Sequence, residues 1–203
     1  MSERKLPDWI DSYMEYTENS EPPTQFRRWS AVSAVAACLQ RKCYTLWETE
    51  IYPNMYVVII GPAGCRKGTA MAPARRLLES VGVTLAADST TREALIRRLY
   101  ETNFSVLDPD SGLPILHSSL TVYSPELAVF LSYENTELVK SVIDWFDCPN
   151  TWIYDTKNKG TDSIAGVWVN MIGATTPELL QTMLPKDAVG SGLTSRIVFV
   201  YGD

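Results

Sequence analysis

Apolar positions along the chain follow two different periods. In "TQFRRWSAVSAVAACLQRK", Phe26, Trp29, Ala36 and Leu39 recur at near-helical spacing, after a polar stretch, residues 1–23, that closes in Glu21-Pro22-Pro23. This predicts a helix packed on the main body. "MYVVII" at 55–60 is instead an unbroken, β-branched run that stops at Gly61-Pro62, the pattern of a strand buried on both faces. "KGTAMAPARRLLESVG" then returns to the helical period, with a kink expected at Pro73 and a stop at Gly82.

The alternation continues to the end of the chain. A strand is expected near "VTLAAD", then a helix over "TTREALIRRLYET" with Thr90 and Glu93 at capping-box spacing. A hairpin is expected around "DPDSG", then a strand in "SLTVYSPEL". "ENTELVKSVIDWFDC" sets Leu138, Val142 and Trp145 on one helix face. Two strand-like arms flank "KNKG" as a second hairpin, which runs into the apolar strand "VWVNMIGA". A short helix from Pro177, a Gly-rich loop "AVGSGL" and a last strand "RIVFVY" close the sequence. Strands alternating with helices predict an α/β fold with a largely parallel central sheet flanked by helices. The expected organisation is an N-terminal helical segment, 1–50, packed on a core, 51–203.

The strand-to-helix junction carries the sharpest chemistry. "GPAGCRKGT" matches most of the phosphate-loop pattern G-x-x-x-x-G-K-[ST]. Gly61, Pro62, Ala63, Gly64, Cys65, Arg66, Lys67, Gly68 and Thr69 make the candidate nucleotide site, because loop amides and a helix start surround phosphates while a lysine neutralises them. Arg66 stands where the second glycine is usual, and Gly68 where the magnesium-binding hydroxyl is usual. Thr69, one step on, is the candidate replacement for that hydroxyl. A tight strand-to-helix turn with incidental glycines is the plain alternative.

Three further positions fit the same chemistry. Glu126, just past the apolar run "LTVY", is placed to polarise an attacking water, with Pro125 where a second acid is usual. An acid at a helix start, favoured by the macrodipole, is its rival. Thr175 ends a strand as a phosphate sensor would, and a simple helix cap at Thr175 or Thr176 ahead of Pro177 is its rival. Arg196, between the Gly-rich loop and the last strand, is the type of group that stabilises transferring phosphoryl charge across an interface, or else a salt-bridged arginine at a sheet end.

With these elements in order, the chain resembles the ATPase domain of phage- and plasmid-type replicative helicases and primase-helicases, within the AAA+/P-loop NTPase superfamily. "YPNMYVVIIGPAGCRKGTA", "SPELAVFL", "VNMIGATTPELL" and "GSGLTSRIVFVY" carry the likeness. Members of that group tolerate arginine before the loop lysine. The resemblance implies a P-loop NTPase fold of AAA+/RecA-like kind, with ATP and Mg2+ as cofactors. It also implies a homo-oligomeric ring, expected to be a hexamer, acting on single-stranded DNA with a primase attached or separate. Lys67 would contact the outer phosphates, Glu126 would activate water, Thr175 would sense, and Arg196 would serve the neighbouring subunit. The hairpin before the sensor strand would bring Lys157 and Lys159 to DNA, since point charges at a loop tip track phosphates without reading sequence.

Charge and cysteine content narrow the alternatives. With 18 basic and 24 acidic side chains the net charge is −6, against a surface coated in positive charge. Four cysteines without a C-x-x-C pair and one histidine, His117, point to no zinc or disulfide framework and to a reducing cytosol. No stretch has the length and apolarity of a signal peptide or a membrane span, so the expected location is cytoplasmic, in a bacterial or archaeal cell or an infected host cell. Two other functions compete: a small P-loop kinase, and a non-hydrolysing ATP-binding loader, which Gly68 and Pro125 favour.

Overall fold

A computed structural model describes residues 6–88, 90–108, 111–131, 136–156, 160–183 and 192–203. In chain order the elements are α1 (Trp9–Tyr16), α2 (Thr24–Leu39), β1 (Thr45–Leu46), β2 (Glu50–Ile51), β3 (Tyr56–Ile60), α3 (Lys67–Ser80) and α4 (Arg92–Glu101). They continue as β4 (Asn103–Leu107), β5 (Pro114–Ser124), α5 (Leu127–Phe130), α6 (Thr136–Phe146), β6 (Thr151–Thr156), β7 (Gly160–Ala165), β8 (Val167–Thr175), α7 (Pro177–Met183) and β9 (Ile197–Tyr201).

The central sheet has the order β4-β5-β8-β3-β9, and only the β4–β5 pair is antiparallel. All five residues of β3 and all nine of β8 are buried, as strands covered on both faces require. Each aliphatic side chain so buried contributes about 1.5–3 kcal/mol. On one side, Tyr56, Val58, Leu120, Val122 and Val169 pack with Leu138, Val142 and Trp145 of α6. On the other, Val57, Ile59 and Ile172 meet Phe26 of α2 and Ala70 and Met71 of α3.

The structure departs from the sequence expectations at several elements. The polar stretch before residue 24 contains a helix, α1, capped by Asp8, whose carboxylate accepts from the Asp11 amide at 2.9 Å. Trp9, Ile10, Tyr13 and Met14 give it one apolar face against Ala31, Ala34 and Ala37. The capping box at Thr90 and Glu93 does not form. Thr91 is the cap, accepting from Ala94 N at 3.2 Å, while the Thr90 hydroxyl turns to the Thr91 carbonyl. The second arm of the "DPDSG" hairpin and the "SLTVYS" strand are one continuous β5 of 11 residues. "VTLAAD" makes only a single parallel bridge, Leu85 to Thr121. The β1–β2 hairpin and the short α5 had no clear periodic signal.

Buried polar groups tie the N-terminal helices to the sheet. Asn170, on β8, donates to the Ser33 carbonyl and hydroxyl and accepts from Met55 N. Arg41 donates to the carbonyls of Cys148, Pro149 and Val167, to Asn150 Oδ1 at 2.6 Å and to the Tyr52 hydroxyl at 2.8 Å. His117 is fully buried nearby, its Nδ1 2.7 Å from Ser119 Oγ. Burial, with the charges of Arg41 and Lys42, pushes its imidazole down to about 4. The unfolded histidine takes its proton near 6.5 and the native one only near 4, so stability is lost as pH falls through that window. The loss attributable to His117 is about 3 kcal/mol. Urea midpoints between pH 7 and pH 4 check this: a His117→Gln variant should show a correspondingly shallower decline than the wild type.

Candidate functional site

The carboxyl ends of β3, β8, β5 and β9 share one end of the sheet, where ligands bind in open α/β folds. Ile60 pairs with Thr175 on one side and with Tyr201 on the other. Just beyond, Gly61 N donates to the Thr175 carbonyl at 3.3 Å, and Gly202 N donates to the Ile60 carbonyl at 3.0 Å. The candidate loop therefore leaves an inner strand of the sheet, fastened on both sides to β8 and to the end of β9.

Gly61 has no room for a side chain. A Cβ there would lie 2.5 Å from both Cys65 Sγ and the Gly202 carbonyl. Gly64 takes a φ of +87°, and Arg66 takes +60°, the left-handed conformation that explains why glycine is usual at its position. The cost for Arg66 is about 1–2 kcal/mol. Its Nε pairs with Glu21 at 2.6 Å, but both side chains are largely exposed, and such a pair returns only about 0–1 kcal/mol. The net local strain sits in the loop, where strain accompanies function more than packing.

Lys67 opens α3 and folds its ammonium back into the loop, donating to the carbonyls of Gly61 and Pro62, each at 2.8 Å. Gly68 is exposed, and a Cβ there would meet nothing within 4 Å. Thr69 lines a hollow on the α1 side of α3.

Thr175 is buried, and it is Thr176 that caps α7, accepting from Leu179 N at 3.3 Å. The Thr175 hydroxyl makes only a long contact, 3.5 Å, to the Thr176 carbonyl. Glu126 is exposed, two residues past Ser124, which pairs with Gly173 just as Thr175 lies two residues past Gly173. It is the N-cap residue of α5, yet its side chain makes no capping bond. Sequence reasoning missed Glu178, an exposed acid in the first turn of α7. Its own backbone N–H and the Thr176 hydroxyl hold its carboxyl below the usual range, and the charge of Lys67 adds to this. Its only sequence signal was its place after the β8 strand end.

Arg196 lies at the other end of the sheet. It precedes Ile197, which pairs with Tyr56 at the start of β3, so at about 3.3 Å per residue it is roughly 16–20 Å from its own loop. Its guanidinium pairs with Asp147 at 2.9 Å, bonds to the Gly192 carbonyl and rests over the Phe146 ring. Lys157 and Lys159 lie outside the described residues. Their flanking arms, β6 and β7, do pair as an antiparallel hairpin directly before β8. Of the other basic residues, Arg75 pairs with Glu79 and Asp88, and Arg97 with Glu101. Arg27 is buried against Met14, Thr17 and Thr24.

The fold defines an α/β protein with a mixed, mostly parallel five-stranded sheet and a glycine-bearing loop at its carboxyl end. A scan against protein-family models finds no match, and a search of curated proteins finds none at the significance required. No helix among the described residues is long and apolar enough to cross a membrane. Among them there is also no group of three or more His, Cys, Asp or Glu that could hold a metal ion.

Proposed function

We propose that the chain is the ATP-binding and ATP-hydrolysing domain of an oligomeric, DNA-dependent motor, of the replicative helicase kind. One observation carries the reading: a loop with Lys67 turned into it leaves the inner strand β3, between β8 and β9, and is bonded to the Thr175 strand end. Successive loop amides and the start of α3 offer an anion their N–H groups. Lys67 needs only to trade two carbonyl partners for phosphate oxygens. The αL backbone at Arg66, which turns the chain into the start of α3, fits this use.

Glu126 is the residue proposed to hold the attacking water and take its proton, and Thr175 to orient the outer phosphate. Mg2+ is usually held by one or two carboxylates together with substrate phosphates rather than by a protein cage. Glu126 and Glu178 are the carboxylates on this end that suit it, and Thr69 is the proposed hydroxyl. Mg2+ would supply charge neutralisation on the phosphates. Arg196 is too far to serve its own loop, which supports a role on the neighbouring subunit's nucleotide, in a ring. The β6–β7 hairpin is proposed to carry Lys157 and Lys159 to single-stranded DNA.

A loader that binds ATP without hydrolysing it is the second reading, favoured by Gly68, Pro125 and the Asp147 pairing of Arg196. Phosphate release with and without single-stranded DNA, alongside mass measurement with and without ATP, separates them. A motor should assemble with ATP and release phosphate faster when DNA is added. Assembly without turnover would select the loader, and turnover by a monomer would select the kinase.

A further inference from the structure

Beside the phosphate loop, a hollow of about 320 Å³ opens between α3 and the α1–α2 connection. That is the lower end of the range for small-ligand sites, about 300–1,000 Å³. Tyr16, Asn19, Thr69, Pro73 and Arg76 line it, with Thr17, Ser20 and Ala72 completing the wall. It is lined by Thr69, the last residue of the candidate loop. Glu21, next after Ser20, is ion-paired to Arg66, and Thr69 is two residues past Lys67.

The hollow has the groups that a flat heterocycle needs. Pro73 lies inside α3, and having no N–H it cannot donate to the carbonyl four residues earlier, that of Thr69. The carbonyl of Thr69, a residue that lines the hollow with Pro73, is thus left without its usual helical donor. The exposed Asn19 amide, which bonds to no described residue, brings a donor and an acceptor together. Tyr16, 68% exposed, and the exposed Arg76 supply a ring and a guanidinium plane that can stack on a base.

We propose that this hollow is the nucleobase site of the nucleotide held by the loop, and that the Thr69 carbonyl selects a base carrying an exocyclic amino group. The proposal rests on the nucleotide-binding reading above. The proline in α3 is then a recognition device: it exposes a main-chain acceptor that an unbroken helix would consume.

Equilibrium titrations of the whole chain with three probes test it: ATP, purine riboside triphosphate, which has hydrogen in place of the amino group, and inorganic tripolyphosphate. The wild type should bind ATP roughly three- to tenfold tighter than purine riboside triphosphate, the worth of one hydrogen bond. Pro73→Ala returns a helical donor to the Thr69 carbonyl and puts the best helix former in place of the worst, so the variant should fold. It should bind ATP no better than purine riboside triphosphate, with affinity for the latter and for tripolyphosphate unchanged. Tyr16→Ala should weaken both nucleotides and spare tripolyphosphate. Equal wild-type affinity for the two nucleotides, or discrimination that survives Pro73→Ala, overturns the base site while tripolyphosphate binding leaves the loop reading standing. If none of the three probes binds, the loop reading fails as well.

Discussion

Arg196→Ala is expected to leave ATP affinity nearly intact while cutting hydrolysis by about 10³ or more, the range seen when an arginine acting on a neighbour's phosphates is removed. The geometry separates the two effects. Arg196 sits at the amino end of β9, the length of β3 away from the loop of its own chain, so it cannot contribute to that loop's binding. The substitution should not unfold the protein. Its partner Asp147 is 63% exposed and stays solvated, and the lost ion pair is worth about 0–1 kcal/mol. For Arg196 to act in trans, a neighbour must draw it from Asp147, so hydrolysis should also rise steeply with protein concentration. Phosphate-release assays over a concentration series, paired with calorimetric titration of ATP, check both halves.

Lys67→Ala is expected to abolish measurable ATP binding. The ammonium already lies within the loop, so its transfer to phosphate oxygens needs no rearrangement of α3. Charge-assisted hydrogen bonds are worth about 1.5–3 kcal/mol each, and losing two costs 10² or more in affinity, on the order of 10²–10⁴. The variant also loses the two bonds to Gly61 and Pro62 that close the loop in the free protein. Lys67→Arg keeps the charge but cannot reproduce a point donor to both carbonyls, and should fall between the two. Titration calorimetry reads all three, with thermal melting to show that the fold is kept.

The central strands were legible because β3 and β8 are buried on both faces, so that β3 reads as an unbroken apolar run and β8 as one interrupted by Asn170. Helix α6 was legible from its helical period instead, since Leu138, Val142 and Trp145 form one face that reaches the core. The helix α1 was hidden because its four core-facing residues, Trp9, Ile10, Tyr13 and Met14, lie among Asp, Glu and Ser that dominate a short window. The cap of α4 fell one residue late because two adjacent threonines offer the same hydroxyl, and it is Thr91, with its extended backbone, that accepts from Ala94 N. The loop pattern was visible, and so was the oddity of Arg66. Its cause, a φ of +60°, is a property of the turn and not of the residue string. What could not be read was the order of the strands. That β8 lies between β3 and β5, bringing Thr175 to Gly61 and Glu178 toward Lys67, follows from non-local pairing.

The most direct measurement of the central claim mixes two inactive variants, Arg196→Ala and Glu126→Gln, under conditions in which the wild type assembles and hydrolyses ATP. If each site takes Glu126 from one chain and Arg196 from the next, a head-to-tail interface makes about one site in four intact in an equal random mixture. Phosphate release should then reappear and peak near equal proportions, while either variant alone stays inactive. No recovery at any ratio, with subunit exchange demonstrated, would contradict a site completed by a neighbouring subunit.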